Sequence, residues 1–94
     1  MNLGSKSRRG FITGGTWCAD HNKLVRDWPK EEEVVEIIEE NVRGGGSACN
    51  LAIYLKRLDP KIPVSTIGLV GEDEDGRLLI QEALEAGLDT TFLK

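Results

Sequence analysis

Apolar positions along this chain follow two different rhythms, and the switches between them lay out its elements. Residues 10–13 (Gly-Phe-Ile-Thr) form a short apolar run closed by Gly14-Gly15, which reads as a buried strand and a turn. Residues 24–28 read as a second strand, ended by Pro29. The rhythm then changes to a helical one over residues 47–58, where Ala48, Leu51, Ala52, Leu55 and Leu58 recur on one side. Lys56 and Arg57 fall in the last turn, where cations suit the helix dipole, and Asp59-Pro60 stops the helix. Residues 62–70 are near-continuously apolar, the pattern of a buried strand in a parallel sheet. After a polar turn at residues 71–76, Asp73 is placed to cap a helix running to about Ala86, with Leu79, Ile80, Ala83 and Leu84 inward and Gly87 at C′. Residues 88–93 begin another strand.

One stretch obeys neither rhythm. In residues 31–42, Val34, Val35, Ile37, Ile38 and Val42 fit a helical stripe and the glutamates favour helix, while the density of β-branched residues favours strand. Periodicity alone tips this segment towards helix. The order of strand, long excursion, helix, strand, helix, strand is the βαβαβ grammar of an α/β domain. A doubly wound sheet needs more elements than these to cover both faces, so the pattern reads as the opening of a larger domain.

Composition narrows the function classes. At 94 residues the chain is at most one small domain, and 39% hydrophobic with 30% charged residues fits neither disorder nor a membrane protein. A net charge of −4 argues against a nucleic-acid partner, because phosphate binding depends on a basic surface. Cys18 and Cys49 are far apart in sequence, and His21 has no second ligand at metal-site spacing, so reduced thiols in a cytoplasmic protein are expected, with no metal site. Residues 7–12 (Ser-Arg-Arg-Gly-Phe-Ile) open like a twin-arginine export signal. Thr13-Gly14-Gly15-Thr16 and the polar residues after them interrupt the apolar run such a signal requires, so residues 1–8 read as a frayed basic N-terminus.

The candidate chemistry lies in Gly44-Gly45-Gly46-Ser47-Ala48-Cys49-Asn50, three glycines running directly into a helix start. Such a loop brings backbone N–H groups and the positive end of a helix dipole close to a small polar ligand. It lacks the Gly-Lys-Ser/Thr ending of a P-loop and the third glycine of G-x-G-x-x-G, and no clear strand precedes Gly44. The glycines alone are equally read as a tight turn into the helix. Asp20 changes the balance: it follows the first strand at the edge where α/β sheets collect ligands, and Asn50 lies in the first helical turn. A carboxylate, an amide and backbone donors together suit neighbouring hydroxyl groups, which points to a polyol; alone, such an aspartate is more often an ordinary one in a solvated turn.

These residues resemble the PfkB or ribokinase-type carbohydrate kinases. The likeness consists of Gly15 to Asp20, Pro29, the Gly45-Gly46-x-Ala48-x-Asn50-x-Ala52 signature, Gly71-x-Asp73-x-x-Gly76, and Gly87-Leu88-Asp89-Thr90, and covers residues 9–94 in order. It implies the N-terminal part of a ribokinase-like doubly wound sheet with a small β-strand lid over about residues 21–43, so strands rather than a helix there. It also implies that Asp20 and Asn50 bind sugar hydroxyls, that Gly45 and Gly46 let the backbone approach the sugar, and that Ser47 lines the same site. Lid strands in that family cover the sugar and often mediate dimerisation. ATP and Mg2+ would serve the full-length family member, bound by a C-terminal part with a Gly-Ala-Gly-Asp type motif that this chain does not contain. The 94 residues alone are therefore expected to bind no cofactor and to be inactive, the alternative being a non-catalytic module that pairs through its lid strands with a partner chain.

Overall fold

The computed structural model describes residues 9–94, so residues 1–8, including Ser7 and Arg8 of the arginine motif, lie outside the described part. Seven elements follow in chain order: β1 (Phe11–Gly14), β2 (Cys18–Val25), β3 (Ile37–Gly45), α1 (Ser47–Leu58), β4 (Val64–Gly68), α2 (Glu74–Glu85) and β5 (Asp89–Leu93). They make two sheets. Strands β1, β4 and β5 form a parallel sheet in the order β1-β4-β5, and β2 and β3 pair antiparallel as a separate two-stranded ribbon. The α/β architecture expected from the pattern is the one observed.

Both helices pack on one face of the parallel sheet. Ala48, Cys49 and Ala52 of α1 and Leu79 and Ala83 of α2 share a core with Val64 and Leu93 from the strands, joined by Trp17 and Leu88. The opposite face carries Ile12, Ile67 and Phe92, which are 70%, 49% and 58% exposed. Residues 62–70 were expected to be buried throughout; instead β4 spans only five residues, burying Val64 and Thr66 while Ile67 and Leu69 face solvent. The alternation has a plain cause: within this chain only one face of the sheet is covered, so only every second side chain is buried.

The helices also bury a narrower stripe than their leucines suggest. Leu51, Leu58 and Leu84, expected inward, are exposed, and small residues take their places in the core. Close approach of helix to sheet at Ala48, Ala52 and Ala83 leaves room for alanine and excludes larger side chains there. The helix ends follow expectation: the Asp73 carboxylate accepts from the Gly76 N–H at 2.8 Å, and Gly87, at φ 84°, follows the Ala86 cap.

The ribbon departs most from the pattern. Strand β2 starts at Cys18 and ends at Val25, well before Trp28, so the strand expected over residues 24–28 is displaced towards the N-terminus. Residues 37–45 form strand β3, which overturns the helix favoured by periodicity over residues 31–42 and agrees with the strands implied by the family resemblance. Eight residues of β3 pair with the eight of β2 from Cys18↔Gly45 to Val25↔Ile37, with Ile38 skipped at an irregularity, and this long-range pairing outweighs the helix propensity of the glutamates. No helix among the described residues is long and apolar enough to cross a membrane.

Candidate functional site

The site is built where the ribbon, the end of β1 and the start of α1 meet. A buried polar network fixes that junction. Thr13 Oγ1 donates to the Ala48 carbonyl at 3.0 Å, and the Ala48 N–H donates to the Thr16 carbonyl at 3.1 Å, so the first turn of α1 is tied to the chain leaving β1. Thr66 Oγ1 lies 2.9 Å from Thr13 Oγ1 and accepts from Trp17 Nε1 at 2.9 Å. Thr13 and Thr66 are the two buried polar side chains of the core, and their mutual bonding removes the cost of placing them there.

Gly46 supplies the bend from strand to helix. It is the N-cap of α1 at φ 98° and ψ 160°, and a Cβ at this position would run into the Thr16 carbonyl oxygen. Only glycine fits both the backbone angle and the contact. Among the described residues no side chain caps the helix and no acidic residue occupies its first turn; the cap is made by backbone, through the Ala48 N–H on the Thr16 carbonyl. The Asn50 N–H closes the first helical bond onto the Gly46 carbonyl at 2.9 Å, which puts the exposed Asn50 side chain one turn along from the cap.

Asp20 stands over this loop. It lies inside β2, opposite Arg43, rather than in a turn at the exit of the first strand. Strand β3 runs through Gly45, so a strand does precede the helix start, contrary to the reading of an unstructured approach to Gly44. The pairing of Cys18 with Gly45 sets the Asp20 carboxylate directly against Gly45, where an added Cβ would collide with Oδ2. Gly45 is thus a close-approach glycine, needed because a carboxylate occupies the space of its side chain. Ser47 closes the other side, its Oγ 3.0 Å from the position a Cβ on Gly15 would take. Asp20 and Gly45 are thus in contact, Gly46 and Ser47 follow directly in the chain, and Asn50 lies in the first turn of α1; among the described residues no hydrogen bond joins the Ser47 or Asn50 side chain to Asp20.

Several residues around the site carry no signal of their own in the sequence. Trp17, Thr13 and Thr66 hold the junction from within the core, and a polar residue midway along an otherwise apolar strand is the one clue to the two threonines. Glu82 of α2 accepts the Gly44 N–H at 2.6 Å. His21, next to Asp20, bonds Asp75 of α2 through Nε2 at 2.9 Å, with Glu40 3.6 Å from Nδ1. The bond to Asp75 is the main cause that raises the His21 pKa. The two cysteines differ: burial, with the Glu82 charge adding to it, pushes the Cys49 thiol up to about 11, while Cys18 is half-buried with its Sγ 3.6 Å from Asp20 Oδ1. Burial and then the Asp20 charge raise the Cys18 thiol as well.

Chemically, the carboxylate at this junction can accept hydrogen bonds. The Asp20 carboxylate faces the glycine loop, and Glu82 already takes the Gly44 amide, so two anions stand where phosphate oxygens would need partners. The loop does not fit a polyphosphate, despite its position at a helix start. A neutral molecule with neighbouring hydroxyls can donate to the carboxylate and accept from the helix amides.

Comparison with known proteins shows the family. A 5-dehydro-2-deoxygluconokinase from Geobacillus thermodenitrificans is 36% identical over 83 residues, which cover 88% of this chain and 23% of that protein. The ribokinase of Arabidopsis thaliana solved with ribose and ATP superposes with a TM-score of 0.74 at 27% identity, covering 90% of this chain and 27% of that one. A ribokinase from Thermotoga maritima shares the fold, with a TM-score of 0.81 at 24% identity over 92% of this chain and 28% of that one. The chain thus spans about a quarter of the length of each of these proteins. Residues 15–94 match the family described as pfkB family carbohydrate kinase, and the chain belongs to that family.

Proposed function

We propose that the junction of ribbon, loop and helix binds the acceptor sugar of an ATP-dependent carbohydrate kinase. Asp20 accepts from two adjacent hydroxyls, Asn50 and Ser47 bond the rest of the polyol edge, and Gly45 and Gly46 let the backbone come close. The observation that carries this reading is the Asp20 carboxylate seated on Gly45 beside the start of α1. The paired strands β2 and β3 would then be the lid over the sugar. ATP and Mg2+ would be held by residues other than the glycine loop, whose carboxylates repel phosphate. What these residues contribute to the reaction is binding and orientation of the attacking hydroxyl, and the 94-residue chain on its own is expected to show no turnover with ATP and Mg2+.

The test is a thermal-shift and calorimetric titration with ribose, fructose, nucleosides, 2-keto-3-deoxygluconate and 5-dehydro-2-deoxygluconate. One of these sugars should stabilise the chain, and Asp20→Ala should lower its affinity by about 100-fold, consistent with losing a carboxylate bound to two hydroxyls. An Asp20→Ala chain that binds as well as the parent would remove Asp20 from the site. A second reading is a module that pairs through the ribbon, favoured by the exposed apolar side chains Leu24, Ile37 and Ile38 on β2 and β3. A stable homodimer or heterodimer with no affinity for any of the sugars would select it.

A further inference from the structure

The ribbon touches the rest of the molecule through α2 as well as through the loop into α1, and those contacts are polar. Asp75, in the first turn of α2, bonds His21 of β2 at 2.9 Å. Two turns further along, Glu82 accepts the Gly44 N–H of β3 at 2.6 Å, a bond between groups 38 residues apart in sequence. The second of these contacts reaches the candidate site. Gly44 pairs with Ala19, between the pairs Cys18↔Gly45 and Asp20↔Arg43, so its position along the strand sets how Gly45 lies under the Asp20 carboxylate.

We propose that Glu82 is a positioning residue for the sugar site, holding the Gly44 amide so that Gly45 and Gly46 stay in register with Asp20. This rests on the sugar-site reading above. The environment of Gly44 is consistent with a built contact: a Cβ there would lie 2.8 Å from Glu82 Oε2, 3.2 Å from Leu79 Cδ2 and 3.4 Å from Cys49 Sγ. Glycine at this position makes room for the carboxylate as well as for the helix. The Gly44 N–H points away from β2, where an edge strand has no neighbour to accept it, and a half-buried donor left alone is costly. A carboxylate acceptor makes the bond charge-assisted and hence directional. Glu85, one turn from Glu82, is exposed and bonds Gln81 instead, so it serves as the control on the same helix.

The experiment uses the whole 94-residue chain, with ribose, fructose, nucleosides, 2-keto-3-deoxygluconate and 5-dehydro-2-deoxygluconate as the panel of calorimetric probes and the Gly44 amide followed by NMR. Glu82→Ala is expected to weaken sugar affinity by about tenfold and to expose the Gly44 amide to fast hydrogen exchange. Glu82→Gln keeps an acceptor without the charge and should recover most of that affinity, to within about threefold of the parent. Glu85→Ala should leave both readouts unchanged. A purely structural role for Glu82 would lower the melting temperature of the Ala variant and leave the affinity of its folded form at the parent value, and that result overturns the proposal. If Glu82→Ala does not fold, Glu82→Gln decides: parent affinity together with an unmoved Gly44 amide resonance overturns it. A parent chain that binds no member of that panel sinks the sugar-site reading and this one with it, whereas binding of a panel member that is indifferent to both Glu82 variants sinks only this one.

Discussion

The parallel layer and the two-stranded ribbon are held by different forces although they meet at one site. In the layer, nine hydrophobic residues and a pair of hydroxyls are packed against each other with almost no exposure. In the ribbon, every residue of β2 from Asp20 to Leu24 is exposed, and what fixes it is strand pairing plus two carboxylates from α2. Burial makes the layer stiff, because every displaced methyl group loses contacts on several sides. The ribbon has few buried contacts and so belongs to the low-stability part of the molecule. The candidate site therefore joins a closely packed floor, the start of α1, to a sparsely packed wall carrying Asp20.

That contrast can be broken most severely at Gly46, which belongs to both regions. Gly46→Ala places a side chain at φ 98° and into the Thr16 carbonyl, and should cost at least about 3 kcal/mol of stability in chemical denaturation. A smaller loss would mean the floor is less rigid than its packing implies. The next effect lies wholly within the layer. Thr66→Val keeps the shape but leaves Trp17 Nε1 without an acceptor, and should cost about 1–3 kcal/mol by the same measurement. Cost-free substitution there would show that the buried hydroxyls do not tie the strands to α1.

The smallest effect tests the ribbon. The bond to Asp75, with Glu40 adding to it, raises the His21 pKa in the folded chain, so folding favours the protonated ring. The stabilisation is fully present below the ordinary value of 6.5 and fades as pH rises through the raised folded value. An NMR titration of His21 should show that raised pKa, and Asp75→Asn should lower it towards 6.5. A His21 pKa that does not respond to Asp75→Asn would mean that α2 and β2 are not held together in solution.

How much of this was legible in the sequence divides along the same line. The layer wrote itself into the chain: the ends of α1 at Gly46 and Asp59, the Asp73 cap and the Gly87 end of α2 all follow from local chemistry. Its leucines misled, since Leu51, Leu58 and Leu84 sit on helix flanks that this chain leaves open, while alanines make the close contacts. The ribbon left almost no trace, because a strand with both faces in water needs no apolar alternation, and the pairing that defines β3 involves residues about 20 positions away. The candidate residues Asp20, Gly45, Gly46, Ser47 and Asn50 stood out through glycine spacing and the family signature, and the structure adds the contact of Asp20 with Gly45. Glu82 was not, because a glutamate on an amphipathic helix looks like any solvated one until the strand beside it is known.

The unequal shelter of the two thiols gives this molecule a clock and a window without any engineering. Alkylation of Cys49 requires the core to open, so its labelling rate counts unfolding events. Cys18, half-buried beside Asp20, can be reached without unfolding, so a molecule bound at Asp20 would slow the labelling of that one sulfur while the other reports the integrity of the fold.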